Sequence, residues 1–215
     1  MNKAVIFDLD GTLIDSLPDI AEYVNITLEK YGAPKKDVCK IRQYIGNGAR
    51  NLILRSFDGT IEGERAEEIL AFYNKNYTES GSPKTRLFEG VKEVLFELKK
   101  RGYKLGVLTN KPQVTTDGVY QTYLKEIGFD AVVGQTAGKK IKPNPDTLLE
   151  LLNSLGVLVE NAYMVGDGET DVEVAINAGV HGVAVLWGYR DKDQLLNAGA
   201  KVFAEKPLDL LKVIN

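Results

Sequence analysis

Two carboxylates stand two positions apart, just after an apolar run near the start of the chain. Residues Ala4 to Phe7 are apolar, and Asp8 and Asp10 follow them before a Gly-Thr turn. Such a run predicts a strand that is buried on both faces. A carboxylate is costly to bury alone, and two so close repel each other unless a cation or a shared proton is present. The spacing therefore predicts a charged site at the end of a buried strand, although Asp10 taken alone also suits an ordinary Asp-Gly turn.

Other polar residues lie at comparable places later in the chain. Thr109 and Asn110 end one predicted strand, Asp167 ends another with Asp171 close behind, and Lys142 lies in a loop between strand and helix. Ligands of open parallel sheets bind beyond the carboxyl ends of the strands, so neighbouring strands would gather these groups in one pocket. The carboxylates favour a hard cation, Mg²⁺ rather than Zn²⁺, and the other groups suit an anion. A phosphoryl group beside Mg²⁺ satisfies both sets.

Each of these residues also has a simpler interpretation. Thr109 suits a helix cap, Lys142 a solvated basic turn, and Asp171 the first turn of a helix. Their occurrence at successive strand ends is what favours a common site.

Alternating strands and helices must position these residues. From residue 86 onward the pattern alternates, with a strand over 104–108 and one helix over 113–127 among its members, which predicts a parallel sheet covered by helices on both faces. Residues 16–81 show helical spacing and no convincing strand. They predict an all-helical insert that ends in the linker-like segment 80–83.

The composition excludes several classes of protein. The 215 residues are 44% apolar and 27% charged with a net charge of −3, which gives no reason to expect nucleic acid or an anionic membrane as partner. Cys39 is the single cysteine, so neither an internal disulfide nor a thiolate cluster is expected. No early segment suits a signal peptide and no stretch suits a membrane span. We therefore expect a cytoplasmic protein, either a monomer or a homodimer.

The polar motifs, in this order, resemble those of the haloacid dehalogenase superfamily of phosphohydrolases. They are Asp8-Leu9-Asp10-Gly11-Thr12, Thr109-Asn110, Lys142-Pro143, and Gly166-Asp167 with Asp171. The likeness implies a catalytic core over residues 1–15 and 84–215, and the insert at 16–83 resembles the helical cap domain of one subclass. The implied fold is α/β: a Rossmann-like parallel sheet covered by helices on both faces, with the all-helical cap inserted. One departure is Gly168, where relatives often have Ser.

The resemblance also implies catalytic roles. Asp8 would attack phosphorus and form an aspartyl-phosphate. Asp10 would protonate the leaving oxygen and then deprotonate the hydrolytic water. Thr109, Asn110 and Lys142 would bind the oxygens of the transferring phosphoryl group.

A magnesium site is implied by the same resemblance. Mg²⁺ would be held by Asp8, by Asp10 through its backbone carbonyl, and by Asp167, and it would neutralise charge between nucleophile and substrate. Asp171 would orient these ligands from outside or through water. This chemistry needs no histidine, and we expect the single His181 to be structural or solvent-facing.

Within the superfamily the likeness is greatest to phosphoglycolate phosphatases, and it extends over residues 8–16, 44–50 and 142–145. The substrate would be a small phosphorylated metabolite, with 2-phosphoglycolate as the favoured one. Backbone amides could approach a small anion at a turn formed by Gly46, Asn47 and Gly48. Arg50 would then meet a substrate carboxylate. An ordinary turn with a solvated Arg50 is an equally good interpretation.

Several alternatives share part of this pattern. A sugar phosphomutase and a broad-specificity sugar phosphatase or pyrophosphatase would use the same core residues with a different cap. A dehalogenase of the same fold would not need Asp10, because its reaction has no leaving alkoxide to protonate. A non-enzymatic phospho-acceptor domain, such as a response-regulator receiver, also uses Mg²⁺ and an acceptor Asp. Such a domain is shorter, has no helical insert, and lacks a carboxylate two residues after the acceptor.

Overall fold

The computed structural model describes residues 2–214 of the chain. Its strands, in chain order, are β1 (Lys3–Phe7), β2 (Ile14–Asp15), β3 (Arg86–Leu87), β4 (Tyr103–Pro112), β5 (Ala131–Gln135), β6 (Ala162–Gly166), β7 (His181–Val185) and β8 (Phe203–Ala204). Its α-helices are α1 (Leu17–Lys30), α2 (Val38–Tyr44), α3 (Gly48–Ser56), α4 (Gly63–Glu79), α5 (Val91–Lys100), α6 (Gln113–Val119), α7 (Asp146–Leu155), α8 (Glu169–Ala178), α9 (Lys192–Asn197) and α10 (Leu210–Val213). None of these helices is both long and apolar enough to cross a membrane.

The main sheet is parallel throughout and has the strand order β5-β4-β1-β6-β7-β8. Strand β1 therefore lies in the middle, hydrogen-bonded to β4 on one side and to β6 on the other. This order brings the carboxyl ends of the three strands that carry the polar motifs next to one another. The predicted α/β fold, with helices covering a parallel sheet, is confirmed.

The alternation of side chains along β1 divides the core into two layers. Val5 and Phe7 belong to the apolar cluster that includes α5 and α10, and Ala4 and Ile6 belong to the cluster that includes α7 and α8. All four residues are essentially inaccessible to solvent. Because successive side chains of a strand point to opposite faces, the apolar run stabilises both layers at once.

Helices α1 to α4 pack into a third apolar cluster of their own. It contains buried residues of each helix, and Tyr189, from the segment after β7, is the residue of the sheet-bearing part that joins it. The short antiparallel pair β2 and β3 lies where the chain enters and leaves this helical unit. The boundaries of a core and a cap at residues 15/16 and 83/84 stay a prediction.

Two elements differ from expectation. Strand β4 continues through residues 109–112, where it pairs with Gln135 of β5 after an irregular register. The predicted helix over 113–127 is divided into α6, a π-helical segment (Tyr120–Leu124) and a 3₁₀ turn (Lys125–Ile127). Thr115, Thr116 and Gly118 are weak helix formers in its first part, which the apolar spacing did not reveal.

Candidate active site

The predicted residues converge at the carboxyl edge of the sheet. Asp8 continues the β1 ladder by donating its backbone N–H to Val165 O of β6, at 2.8 Å. Thr109 and Asn110 lie in the last part of β4, and Asp167 follows β6 directly. The structure thus brings together residues that are more than 150 positions apart in the chain.

Lys142 forms the electrostatic centre of this edge. Its ammonium donates to Asp171 Oδ1 at 2.6 Å and to Leu108 O at 2.8 Å, and it lies 2.9 Å from Asp8 Oδ1. Burial alone would lower the pKa of Lys142, but the carboxylates of Asp171 and Asp8 raise it above its usual value. Lys142 is therefore a permanent buried cation placed between the predicted nucleophile and a second acid.

Three carboxylates form an acidic cluster suited to a metal ion. Asp8, Asp167 and Asp171 each offer an oxygen, and these oxygens lie within 4.8 Å of one another. Burial raises the pKa of Asp8 to about 7, with Lys142 opposing and Asp171 adding to the rise. Burial, then the charges of Asp8 and Asp171, raise the pKa of Asp167 to about 8. The cluster thus lacks enough positive charge to hold all its carboxylates ionised at neutral pH.

The hydrogen bonds of the cluster show which oxygen is left for a cation. Asp167 accepts from Thr12 Oγ1 at 3.1 Å and from the Tyr189 backbone N–H at 2.7 Å. Asp171 accepts from Lys142 and from the Gly168 N–H at 2.9 Å. Among the described residues, the buried Asp8 Oδ1 has the ion-pair contact with Lys142 but no hydrogen bond of good geometry. Buried polar atoms are rarely left in this state, so the donor set fits a hard cation such as Mg²⁺.

Two glycines make room for the Asp167 side chain. A Cβ atom built on Gly11 would lie 2.3 Å from Asp167 Oδ2, and one built on Gly188 would lie 2.2 Å from Asp167 Cβ. Gly11 also has a φ of +86°, a conformation that favours glycine. The turn after Asp10 therefore requires a glycine at position 11, both for its φ and for the space that Asp167, the residue after β6, occupies.

Asp10 lies outside this acidic cluster and faces the helical unit. It accepts a hydrogen bond from Ser16 Oγ at 2.5 Å, and Lys111 Nζ lies 2.9 and 3.1 Å from its two carboxylate oxygens. Lys111 also donates to Tyr77 OH of α4 at 2.8 Å. The two acids of the first motif thus have separate environments, each with its own lysine.

Lys111 is a site residue that the sequence motifs do not identify. It lies two positions after Thr109 in the irregular last part of β4, and both residues line one cavity. The polar composition of residues 109–112 gives no sign that the strand continues through them.

Asn110 lies at the site, but its side-chain amide forms hydrogen bonds with backbone groups. Its Nδ2 donates to Gly46 O and to Lys142 O, both at 3.0 Å, and its Oδ1 accepts from the Lys142 N–H at 2.9 Å. Both amide hydrogens are therefore engaged in joining the turn at Gly46 to the loop that carries Lys142.

A cavity of about 60 Å³ lies between the sheet edge and the helical unit. Its lining combines both predicted acids with residues of β4 and of the helices, namely Asp8, Asp10, Ile20, Ile45, Gly46, Gly48, Ala49, Leu52, Tyr73, Asn74, Tyr77, Thr109, Asn110, Lys111 and Pro112. Ligand pockets usually measure roughly 300–1,000 Å³. The cavity therefore admits only a small leaving group unless the helices move.

Two residues predicted to bind substrate lie elsewhere. Arg50 forms an ion pair with Glu67 at 2.7 Å, with about half of each side chain exposed. The Asn47 side chain accepts from Arg55 at 2.9 Å. Neither residue lines the cavity, so the structure brings the turn glycines to the site without Asn47 or Arg50.

The segment after β7, also unanticipated, fastens the helical unit to the sheet. The Tyr189 hydroxyl accepts from the N–H groups of Ser16 and Leu17 at 2.9 and 3.0 Å and donates to Asp15 at 3.1 Å. Arg190 pairs with Glu169 at 2.7 Å and donates to the carbonyls of Arg42 and Ile45. These contacts hold the helical unit against the carboxyl edge of the sheet.

The fold and the site are those of a phosphoric monoester hydrolase of the α/β class. Its acids lie at neighbouring ends of a parallel sheet, with a buried lysine beside the first of them and the helical insert over the cavity. More particularly, the chain belongs to the haloacid dehalogenase-like hydrolase family, whose model matches residues 5–185. The predicted family and enzyme class are confirmed.

Curated relatives and solved structures agree with this assignment. Phosphoglycolate phosphatase 1 of Pseudomonas aeruginosa is 34% identical over 214 residues, covering 97% of this chain and 78% of that protein. Phosphoglycolate phosphatase of Vibrio cholerae is 32% identical over 218 residues, covering 99% and 96%. The crystal structure of a predicted phosphoglycolate phosphatase from Haemophilus somnus 129PT superimposes with a TM-score of 0.89 at 28% identity, covering 100% and 98%.

Proposed function

We propose that this protein is a Mg²⁺-dependent phosphatase that hydrolyses 2-phosphoglycolate through a phosphorylated Asp8. The observation that carries the proposal is the position of Asp8. Its buried Oδ1 lacks a hydrogen bond, lies 2.9 Å from Lys142, and borders a cavity of about 60 Å³. The small cavity and the names of the relatives favour a short leaving group such as glycolate.

The residues divide the reaction between two acids. Asp8 attacks phosphorus and displaces the glycolate oxygen, and water later attacks the phosphorus of the acyl phosphate, which releases inorganic phosphate and regenerates the carboxylate. Asp10, which lines the same cavity, gives a proton to the leaving oxygen and then takes one from the water. Thr109 and Lys142 bind phosphoryl oxygens, with Asn110 holding the Lys142 loop in place.

Mg²⁺ would be held by Asp8 and Asp167 together with the Asp10 backbone carbonyl, and Asp171 would orient Lys142 and the Gly168 turn around it. When bound, the cation neutralises charge between the anionic nucleophile and the anionic substrate. Thr12 and the Tyr189 backbone fix the Asp167 carboxylate for this purpose.

The remaining organisation is part of the same proposal. Residues 1–15 and 84–215 act as the catalytic core and residues 16–83 as the cap that selects the leaving group. A cytoplasmic location and a monomeric or homodimeric state stay predictions from the sequence.

The test is kcat/KM with Mg²⁺ for 2-phosphoglycolate, hexose phosphates and pyrophosphate. We expect a preference for 2-phosphoglycolate of a hundredfold or more, about 2.7 kcal/mol of discrimination, and loss of turnover with Asp8→Asn. A flat profile would contradict the substrate, and turnover by Asp8→Asn at the wild-type rate would contradict the mechanism.

A further inference from the structure

Three cationic side chains are buried among residues 2–214: Lys111, Lys142 and Arg190. Lys142 forms ion pairs with Asp8 and Asp171 and donates to Leu108 O, and Arg190 forms an ion pair with Glu169 and donates to Ile45 O. Only Lys111 of the three lines the cavity. A buried charge that contacts the substrate space is a candidate for substrate recognition.

Lys111 lies on the leaving-group side of the reaction. In a phosphoryl transfer the nucleophile and the leaving oxygen stand on opposite sides of phosphorus, and Asp10 serves the leaving oxygen. The Lys111 ammonium contacts Asp10 and Tyr77 OH, and it lies 4.6 Å from the centre of the Tyr77 ring. It is thus bounded by the general acid on one side and by cap helix α4 on the other.

The ammonium shares its hydrogen bonds between Asp10 and Tyr77. A lysine ammonium carries three N–H donors, and in the structure they face three acceptors: the two carboxylate oxygens of Asp10 at 2.9 and 3.1 Å and Tyr77 OH at 2.8 Å. Because two of these acceptors belong to one carboxylate, a substrate carboxylate can take over one of the two Asp10 contacts while Asp10 keeps the other.

The rest of the cavity wall on the helical side carries no cationic side chain. Ile20, Ile45 and Leu52 are apolar, Asn74 and the turn glycines offer only neutral donors, and Arg50 is paired with Glu67 outside the cavity. A buried carboxylate without a cation is strongly disfavoured. Among the residues that line the cavity, Lys111 is the cation that a substrate carboxylate can approach.

We propose that Lys111, assisted by the Tyr77 hydroxyl, binds the carboxylate of the leaving group and so selects short phosphorylated 2-hydroxy acids. This inference rests on the proposed function and names the residue behind its substrate preference. A single methylene separates the carboxylate from the ester oxygen in such a substrate. One ammonium beside Asp10 can therefore contact the carboxylate while Asp10 serves the oxygen.

The test compares ligands that differ only in the carboxylate. For inhibition, 3-phosphonopropionate is a non-hydrolysable analogue of 2-phosphoglycolate, and propylphosphonate replaces its carboxylate by a methyl group. For turnover, 2-phosphoglycolate is compared with ethyl phosphate. We expect the wild type to prefer the carboxylate-bearing member of each pair by about 10- to 100-fold.

Lys111→Met, which keeps the length and loses the charge, should abolish this ratio, and Lys111→Arg should restore part of it. Tyr77→Phe, which keeps the ring, should reduce it several-fold and serves if Lys111→Met fails to fold. An equal loss for both members of each pair would make Lys111 a partner of Asp10 alone and would overturn the proposal. Loss of the ratio with Arg50→Ala rather than Lys111→Met would also overturn it.

The outcome separates this inference from the proposed function. A wild-type preference for the carboxylate that survives in Lys111→Met refutes the role of Lys111 and leaves the substrate intact. The absence of any preference in the wild type refutes both.

Discussion

Lys142 offers the sharpest test of the site, because three buried polar partners depend on its charge. Lys142→Met keeps the length of the side chain and leaves Asp8, Asp171 and Leu108 O without their cation. Removing one partner of a buried ion pair costs roughly 3–5 kcal/mol of folding free energy. We expect the free energy of unfolding at pH 8, measured without divalent cations, to fall by this amount. In assays with Mg²⁺, the variant should lose turnover.

The loss should depend on pH in a defined direction. Lys142 opposes the rise of the Asp8 pKa, which is already about 7, so its removal raises that pKa further. The folded variant then binds more protons than the unfolded chain, and its stability must rise as pH falls. Each additional proton over one pH unit is worth about 1.4 kcal/mol. The destabilisation relative to wild type should therefore shrink by roughly 1–3 kcal/mol between pH 8 and pH 6.

Urea unfolding at both pH values, with EDTA present, measures this difference directly. The control is Lys139→Met on the same loop, where a half-exposed lysine pairs with an exposed Glu150 at 2.5 Å. Such pairs contribute about 0–1 kcal/mol. The reasoning is refuted if Lys142→Met costs no more than the control at pH 8, or if its cost is the same at pH 6.

Three further predictions concern the acidic cluster and the start of the helical unit. Gly188→Ala places a Cβ atom against Asp167 and should displace that side chain by about 1 Å, which can cost about a hundredfold in kcat/KM. The control is Gly118→Ala, which has open space around it and should leave kcat/KM within twofold. Mg²⁺ should raise Tm more at pH 8.5 than at pH 6. The pKa values of Asp8 and Asp167 are about 7 and 8, so at pH 6 the cation must first displace protons from these carboxyl groups. An equal rise in Tm at both pH values would contradict this prediction. Tyr189→Phe should lower the free energy of unfolding by about 1–3 kcal/mol, because the buried Ser16 N–H and the Leu17 N–H lose their acceptor. Tyr31→Phe, which removes an exposed hydroxyl that bonds Glu68, should lower it by less than about 0.5 kcal/mol. Equal losses would refute a special role for the Tyr189 hydroxyl.

Much of the fold follows from local patterns. The apolar run before Asp8, the alternation after residue 86 and the helical spacing of the insert each depend on residues close together in the chain. The short pair β2 and β3 was not predicted, because each strand has only two residues and their partners are distant in the chain. The last residues of β4 were not predicted, because they are polar.

The part of the site that lies at strand ends was predictable, and the part formed by distant segments was not. Residues at strand ends, such as Asp8, Thr109 and Asp167, converge because parallel strands end at one edge. The orientation of Arg50 away from the cavity depends on its pairing with Glu67 of another helix, which no local pattern encodes. The contribution of Tyr189, from the far end of the chain, was hidden for the same reason.

Tyr189 contacts both the acidic cluster and the start of the helical unit. Its backbone N–H holds Asp167, and its hydroxyl holds the first residues of α1. A cation bound at Asp167 and a substrate bound under the helical unit would therefore both act on Tyr189. Any coupling between them would be reciprocal: the substrate would change the affinity for the cation by the same factor as the cation changes the affinity for the substrate. A change at Tyr189 would then alter this coupling, although the residue is far in sequence from the nucleophile.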